Sequence, residues 1–159
     1  MSISLHAVSY MNGHLVVVED SDEDFDTFVE VARNVGITRT IHRAATGGDC
    51  LDLLRPPPVD IGAGLYGVPD LILMDLNSHG IDGREALLAI KSDNCLKDIP
   101  VVVLTTSANP KDVEFCYRAG ANAYHVKPVR HVEYCSLLRD LLHYWLSTVT
   151  PSAAIRQID

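Results

Sequence analysis

The stretch LILMDLN, residues 71–77, runs four apolar residues directly into an aspartate. A polar loop that contains glycine follows, up to Gly83. A short apolar run bounded by turn residues is typical of a strand that is buried on both faces of a sheet. Asp75 would then lie at the carboxyl end of that strand, and open α/β sheets bind their ligands at this edge. Because an isolated aspartate at such a position is more often a turn residue or a helix cap, the interpretation depends on what the other strands bring to the same edge.

Length and charge limit the kinds of protein that this chain can be. Its 159 residues suggest one domain, and 47% of them are hydrophobic, which is enough for a globular core. The net charge of −8 argues against nucleic acid or an anionic membrane as the main partner. No apolar run approaches the roughly 18 residues of a membrane span, and residues 1–14 lack the basic and apolar pattern of a signal peptide. We therefore expect a cytoplasmic protein.

The cysteines and histidines of the sequence form no recognisable disulfide or metal-binding pattern. The four cysteines contain no C-x-x-C pair, and they are widely spaced, at Cys50, Cys95, Cys116 and Cys135. Such spacing is typical of reduced thiols in the cytosol. The seven histidines contain no H-x-x-x-H pattern and no cluster with cysteine, so a structural zinc site is not expected.

Strand and helix patterns alternate along the chain. Short β-branched or apolar runs predict five strands, at 14–19, 38–44, 71–75, 100–105 and 123–126. Apolar residues at spacings of three and four, with turn or cap residues at the ends, predict five helices, at 22–35, 47–54, 84–92, 110–119 and 130–146. This alternation predicts right-handed βαβ units and a parallel sheet with helices on both faces.

The predicted strands and helices divide the chain into three parts. We expect a single α/β domain over 13–147, an N-terminal arm over 1–12 and a C-terminal tail over 148–159. The stretch 56–69 is rich in Pro and Gly, which predicts an irregular surface loop. It connects a helix to the start of a strand, so it belongs to the sheet edge opposite Asp75.

Four of the predicted strands end in polar side chains that suit one kind of chemistry. Glu19 and Asp20 follow the first strand, Asp75 follows the third, Thr105 ends the fourth and Lys127 follows the fifth. Carboxylates brought together repel one another and need a cation, and oxygen ligands without Cys or His favour Mg²⁺. With a metal to screen it, a carboxylate can attack phosphorus and become an acyl phosphate. A lysine ammonium and a threonine hydroxyl can then hold the phosphoryl oxygens.

As a set, these motifs resemble the receiver domain of two-component response regulators, the CheY-like family. The resemblance is carried by VVVEDSDED at 16–24, DLILMDLNSHGIDG at 70–83, VVVLTTSANP at 101–110 and AYHVKP at 123–128. It spans residues 14–147, about the whole folded chain. It implies a single (βα)5 doubly wound domain whose five-stranded parallel sheet has the flavodoxin-like order 2-1-3-4-5.

The resemblance also assigns a metal site. By this match, Asp20 and Asp75 ligate Mg²⁺ through their carboxylates, and Asn77 ligates it through its backbone carbonyl. Glu19 contributes directly or through a water molecule. Mn²⁺ is expected to be able to substitute for Mg²⁺.

The match further assigns the phosphoryl site and a switch. Asp75 is the phosphoacceptor, which becomes a 4-aspartylphosphate, and Thr105 and Lys127 contact the phosphoryl group. Thr105 and Tyr124 form the switch that responds to it. Receiver domains also resemble one another in a cis peptide bond at the position of Lys127–Pro128, so we predict a cis bond there. The proline that usually lies four residues after the acceptor is replaced by His79.

In detail, the chain looks most like the stand-alone regulators that serve phytochrome histidine kinases. That likeness implies that the partner is a histidine kinase of phytochrome type. It also implies no enzymatic activity beyond the phosphorylation and dephosphorylation of the chain itself. The last helix and tail carry more apolar and aromatic residues than one helical face can bury. These residues are Val132, Tyr134, Leu138, Leu141, Tyr144, Trp145 and Leu146. Such a surplus is typical of an interface. We expect a two-fold homodimer formed by the last helix and the fifth strand.

Two other classes of function compete with this interpretation. Haloacid-dehalogenase-like phosphatases also form an aspartyl phosphate on Mg²⁺, but they use a D-x-D loop whose second aspartate is the acid and base. Asn77 occupies that position here, and an asparagine has no proton to exchange in this role. A non-phosphorylated pseudo-receiver that serves only as an interaction module is the third class. The presence of every site residue argues against it.

Overall fold

The computed structural model describes residues 13–55, 68–77 and 82–150. The predicted arm 1–12, His79, the tail from 151 and most of the loop 56–69 lie outside these ranges. Strands and helices alternate in the order that the sequence predicts: β1 His14–Val18, α1 Asp22–Asn34, β2 Thr40–Ala44, α2 Gly47–Leu54, β3 Leu71–Met74, α3 Gly83–Ser92, β4 Val101–Thr105, α4 Pro110–Ala119, β5 Ala123–Val126 and α5 His131–His143. A short π-helical turn, Tyr144–Thr148, continues α5.

The five strands form one parallel sheet with the order β2-β1-β3-β4-β5. The register pairs Leu15 with Leu71 and Ile72 with Val101, so β1, β3 and β4 form the middle of the sheet. Every residue of β3 and β4 is buried, as expected for strands that are covered on both faces. The predicted doubly wound α/β class and its strand order are confirmed.

The helices cover both faces of this sheet. Helices α2, α3 and α4 pack on one face, where Leu87, Ile90 and Cys116 join inward residues such as Val16 and Ile72. Helices α1 and α5 pack on the other face, in a second cluster with members Leu15, Phe28, Val31, Leu73, Leu138 and Leu142. No helix within the described ranges has the length and apolar character of a membrane span.

Side-chain caps fix where the helices begin. Ser21 accepts a hydrogen bond from the backbone N–H of Asp24 at 3.2 Å, and Thr46 accepts one from the N–H of Asp49 at 3.1 Å. Asp82 caps α3 in the same way through the N–H of Arg84, at 2.8 Å. These bonds satisfy donors that the first turn of a helix leaves unpaired. They place the three helix starts beside the carboxyl ends of β1, β2 and β3.

Gly83, the first residue of α3, lies directly against the backbone that carries Asp75. A Cβ atom at this position would lie 2.5 Å from the Asp75 carbonyl oxygen and 2.9 Å from the Leu76 Cα. Alanine in place of a helical glycine ordinarily stabilises by about 0.5–1 kcal/mol. Here we expect Gly83→Ala to destabilise instead, by about 1–3 kcal/mol, because the backbone must shift. Urea unfolding measures it, with Leu88→Ala at an exposed site of the same helix as control. A gain in stability would contradict this packing.

Candidate functional site

The carboxyl edge of the sheet collects the polar residues that the sequence singles out. Glu19 is buried one residue beyond β1, and Asp75 is buried one residue beyond β3. Thr105 is the last residue of β4 and has no exposed surface, and Lys127 is buried immediately after β5. Asp20 is exposed beside Glu19. Parallel strands deliver all of these side chains to one edge, as predicted.

Three of the acidic side chains are close enough to share one metal ion. Oxygen atoms of Glu19, Asp20 and Asp75 all lie within 4.8 Å of one another. The donor set consists only of hard oxygen atoms, which is the chemistry that Mg²⁺ and Mn²⁺ accept. The group therefore fits the divalent ion that the sequence implies, with Asp20 on the solvent side and the other two carboxylates inside.

The ammonium of Lys127 lies at the centre of the buried carboxylates. It donates to Oδ2 of Asp75 at 2.9 Å, to Oδ2 of Asp24 at 2.8 Å and to Oε1 of Glu19 in a close contact. An ammonium has three N–H donors, and here each has a carboxyl oxygen as its acceptor. Lys127 therefore supplies the positive charge that stabilises the carboxylates at this edge.

Burial and charge act in opposite directions on these groups. Burial raises the pKa of Glu19 to about 7, although the hydrogen bond from Lys127 lowers it. Burial also lowers the pKa of Lys127, but its hydrogen bonds to Asp24, Glu19 and Asp75 outweigh that effect, so its pKa is raised. The ammonium is therefore charged throughout the neutral range, whereas Glu19 is poised between its two protonation states.

A hydrogen-bond chain connects the Asp75 carboxylate to the end of β4. The backbone N–H of Asn77 donates to Oδ1 of Asp75 at 3.1 Å, and the Asn77 side-chain amide donates to Oγ1 of Thr105 at 3.3 Å. The backbone N–H of Ser107 also donates to the Thr105 oxygen, at 3.4 Å. The threonine hydroxyl is thus connected to Asp75 through Asn77, and it accepts hydrogen bonds from both Asn77 and Ser107.

Tyr124, the predicted switch residue, is connected to the same loop. Its hydroxyl donates to the Ser107 carbonyl oxygen at 2.8 Å, and its ring packs against the core on the face of α2, α3 and α4. Burial raises the pKa of Tyr124, so the phenol is neutral and donates this bond at neutral pH. Thr105 and Tyr124 therefore both bond the backbone of Ser107, Thr105 through its N–H and Tyr124 through its carbonyl oxygen.

The prediction of a cis peptide bond before Pro128 was wrong. Every peptide bond in the described part of the chain is trans, including Lys127–Pro128. The Lys127 N–H still pairs with the Thr105 carbonyl at 2.7 Å, so the sheet continues to this residue. The long lysine side chain reaches all three carboxylates from a trans backbone. Nothing in this geometry offsets the ordinary trans preference of about 0.5–1 kcal/mol.

Asp24 contacts Lys127 in this site, but the sequence interpretation did not single it out. Its place in the first turn of α1 suggested only an acidic side chain that complements the helix dipole. In the structure its carboxylate is about one-third exposed and pairs with Lys127. The available signal was its spacing from Ser21, a serine followed three residues later by an acid, but that pattern predicts a helix cap rather than a salt bridge.

Residues 15–139 match the family described as response regulator receiver domain. The chain belongs to this receiver domain family. This receiver therefore belongs to a family of signalling modules and not to a classical family of enzymes. The match covers the four strand ends that carry the acidic group, the threonine and the lysine.

Similar proteins include the response regulators Rcp1 and RcpA. Response regulator Rcp1 of Synechocystis sp. is 45% identical to this receiver over 86 residues, which cover 54% of this chain and 58% of Rcp1. The crystal structure of Mn²⁺-bound Rcp1 has a TM-score of 0.80 at 34% identity, covering 87% of this chain and 98% of that chain. The phosphorylated cyanobacterial phytochrome response regulator RcpA has a TM-score of 0.81 at 33% identity, covering 89% of this chain and 99% of that chain. The receiver is thus similar to regulators of phytochrome signalling.

Proposed function

We propose that this receiver accepts a phosphoryl group on Asp75 in a Mg²⁺-dependent reaction. The single observation that supports this most strongly is the setting of the Asp75 carboxylate. One of its oxygens contacts the Lys127 ammonium at 2.9 Å, and the residue shares a three-carboxylate group with Glu19 and Asp20. An acceptor oxygen beside a fixed cation and a metal-binding group suits phosphoryl transfer, which depends chiefly on positioning and charge stabilisation.

Each residue has a defined part in this reaction. An Asp75 oxygen forms the new bond to phosphorus while the bond between phosphorus and the donor breaks, and the leaving group takes that electron pair. Lys127 and Thr105 hold the phosphoryl oxygens, by an ammonium and by a hydroxyl. Glu19, Asp20 and Asp75, with the Asn77 carbonyl, would hold Mg²⁺, which supplies charge neutralisation and orients the reacting phosphoryl oxygens. Mn²⁺ would serve in the same place, as suggested by the Mn²⁺-bound state of Rcp1.

The proposed donor is a histidine kinase of phytochrome type, with the receiver acting in the cytoplasm. The support is the similarity to Rcp1 and to the phytochrome response regulator RcpA. The folded receiver is proposed to span 13–147, flanked by an arm and a tail. Its enzymatic activity is proposed to be limited to its own phosphorylation and dephosphorylation.

Stoichiometry distinguishes this function from a phosphatase and from a pseudo-receiver. The receiver is incubated with Mg²⁺ and acetyl phosphate, and both the bound phosphoryl group and the hydrolysis of a simple phosphate ester are measured. We expect up to one phosphoryl group per chain and no sustained turnover of the ester. Sustained turnover would instead indicate a phosphatase, and the absence of uptake would indicate an interaction module.

We further propose that the phosphoryl group acts on the loop after β4. The Thr105 hydroxyl, now bonded by Asn77 and Ser107, would turn to the phosphoryl oxygens. Tyr124 would then move inward, because Ser107 is the residue that both side chains contact. This is a two-state change biased by phosphate contacts.

Removing the threonine hydroxyl is expected to uncouple phosphorylation from this movement. We expect Thr105→Ala to take up the phosphoryl group but to lose most of the change in the Tyr124 ring signals that accompanies uptake in the wild type. NMR of the tyrosine rings, with and without acetyl phosphate, measures the change. The control is Thr106→Ala, at an exposed neighbouring position. A full wild-type response in Thr105→Ala would refute the coupling.

We also propose a homodimer through α5 and β5. Tyr134, Leu138 and Leu141 are buried in the core, and Trp145 is partly buried, so they are not free for an interface. The exposed apolar residues that remain on this side are Val126, Val129, Val132 and Tyr144. Such a patch is typical of an interaction surface.

A charge placed in this patch is expected to abolish the dimer. We expect wild type to sediment as a dimer at micromolar concentration and Val132→Asp to sediment as a monomer. Val35→Asp, at an exposed position after α1, serves as the control and should remain dimeric. A wild-type receiver that is monomeric both with and without phosphorylation would rule out this interface.

A further inference from the structure

The first turn of α1 has a sequence pattern for a capping box that the structure does not complete. In a capping box, the serine before the helix accepts from the N–H three residues later, and the acid at that later position reaches back to the serine N–H. Ser21 makes the first bond, to the N–H of Asp24. The Ser21 N–H, however, donates to Oε2 of Glu19 at 3.3 Å. The Asp24 carboxylate is thereby left to bond the Lys127 ammonium at 2.8 Å.

Asp24 differs from the other two partners of Lys127 in one respect. Glu19 and Asp75 both belong to the three-carboxylate group that fits a divalent ion, whereas Asp24 does not. A metal ion held by that group would compete with the ammonium for the oxygens of Glu19 and Asp75. A phosphoryl group on Asp75 would remove one of these oxygens from the contact as well. Of the three carboxylates that Lys127 contacts, Asp24 is therefore the one that neither the metal nor the phosphoryl group would engage.

We infer that Asp24 is a positioning residue that holds the Lys127 ammonium at the phosphoryl site once the metal and the phosphoryl group have engaged Glu19 and Asp75. The inference rests on the proposed function. Asp24 is suited to this task because it stands on a helix N-terminus, with its backbone fixed by the Ser21 cap, and not on a strand end that carries a metal ligand. Its partial exposure places it at the rim of the site, beside the nearly fully buried ammonium.

Asp22→Asn provides a matched control for Asp24→Asn. Both changes remove one carboxylate from the first turn of α1, so the effects on net charge and helix dipole are alike. The Asp22 side chain is 86% exposed and pairs with Arg43 instead of Lys127. Asparagine at position 24 keeps the backbone N–H that donates a hydrogen bond to Ser21, so the helix cap remains. Asp24→Glu keeps the negative charge. It tests whether a carboxylate on a longer side chain can still hold the Lys127 ammonium.

The first measurement uses Mg²⁺ alone and does not require phosphorylation. NMR reports the exchange of the Lys127 ammonium protons with water, at saturating Mg²⁺. We expect about tenfold faster exchange or more in Asp24→Asn than in wild type, since the variant loses a hydrogen bond between two charged groups. Asp22→Asn should match wild type, and Asp24→Glu should recover part of the protection.

The second measurement is the rate of phosphoryl uptake from acetyl phosphate at saturating Mg²⁺. We expect about a tenfold or greater decrease in Asp24→Asn, a wild-type rate in Asp22→Asn and partial recovery in Asp24→Glu. Wild-type exchange and a wild-type rate in Asp24→Asn would overturn the inference. If wild type itself takes up no phosphoryl group, the proposed function fails, while the ammonium exchange still decides whether Asp24 holds Lys127.

Discussion

Replacing Lys127 with methionine is expected to lower the free energy of unfolding by about 3–5 kcal/mol at pH 8. The lysine side chain is only 6% exposed and is the cation that Glu19, Asp24 and Asp75 share. Methionine fills much of the same space, but it leaves buried carboxylates without a counter-charge. The same variant should take up no phosphoryl group, because no ammonium remains to hold the phosphoryl oxygens.

The loss of stability in Lys127→Met should shrink at lower pH. The pKa of Glu19 in the wild type, about 7, already lies above its ordinary value because of burial. In wild type, the hydrogen bond and the charge of Lys127 lower the pKa of Glu19. Without the ammonium, that pKa rises further. A carboxyl whose pKa is raised on folding stabilises the fold below its unfolded pKa and loses that contribution as pH rises through the folded pKa. At pH 5 the carboxyl is therefore protonated and the missing ammonium matters less.

Titration of Lys127 itself cannot produce this dependence. Its pKa is raised from an already high ordinary value, so its contribution to stability is fully present across pH 5 to 8 and disappears only at much higher pH.

Urea unfolding of wild type and Lys127→Met at pH 5 and pH 8 measures the loss of stability at each pH. Lys91→Met is the control, because its ammonium bonds the neutral oxygens of Lys97, Ile99 and Asn122. An equal loss at both pH values would contradict the assignment to the carboxylates.

Replacing Asp20 with asparagine is expected to weaken Mg²⁺ binding by about tenfold or more, which corresponds to about 1.4 kcal/mol. Asp20 is the solvent-facing member of the three-carboxylate group, and the carboxylates that Lys127 contacts are those of Glu19, Asp24 and Asp75. Of the three carboxylates it is therefore the one whose charge the ammonium does not neutralise. Its loss removes a metal ligand while the buried network stays intact.

Calorimetric titration with Mg²⁺ and with Mn²⁺ measures this affinity. Asp22→Asn removes an equal charge two residues away, outside the three-carboxylate group, and should bind either ion nearly as wild type does. Stability should hardly change in Asp20→Asn, since this side chain is exposed. Wild-type receiver that binds neither ion at millimolar concentration would show that the acidic group is not a metal site.

The positions of the site residues could be predicted from the sequence because of how parallel sheets are built. Each apolar run ends abruptly in a polar residue, as at Asp75 and Lys127, and parallel strands with helical connections bring their carboxyl ends to one edge. The sheet order came from the likeness to receiver domains rather than from any local pattern. The contacts of the site, by contrast, depend on which acceptor is nearest to which donor in space.

The partner of Asp24 could not be predicted from the residues near it in the sequence. The pattern that begins at Ser21 predicts an acid that bonds the serine N–H, but Glu19 occupies that donor. Only the arrival of Lys127 from the fifth strand, 103 residues later in the chain, gives the Asp24 carboxylate its partner. The prediction of a cis bond before Pro128 was wrong for a similar reason. The flexible Lys127 side chain reaches its three carboxylates from a trans peptide bond.

The exposed face of the last helix could not be predicted from the sequence either. A surplus of apolar residues can be counted in the sequence, but not which of them faces the sheet. Leu138 and Leu141 belong to the core, and a π-helical turn follows α5 over Tyr144–Thr148. The wider turn changes the phase of the helix, and Trp145 and Leu146 come to lie partly against the core. The exposed patch is therefore smaller than the sequence suggests.

The most direct test of the central claim, that Asp75 is the phosphoacceptor, is the intact mass of the protein after incubation with Mg²⁺ and acetyl phosphate. Wild type and Asp75→Asn are compared with Asp70→Asn, whose carboxylate lies at the opposite end of β3 and pairs with Arg39 at 2.7 Å. We predict a gain of one phosphoryl group in wild type and in Asp70→Asn, and none in Asp75→Asn. An equal gain of mass in Asp75→Asn would contradict the account.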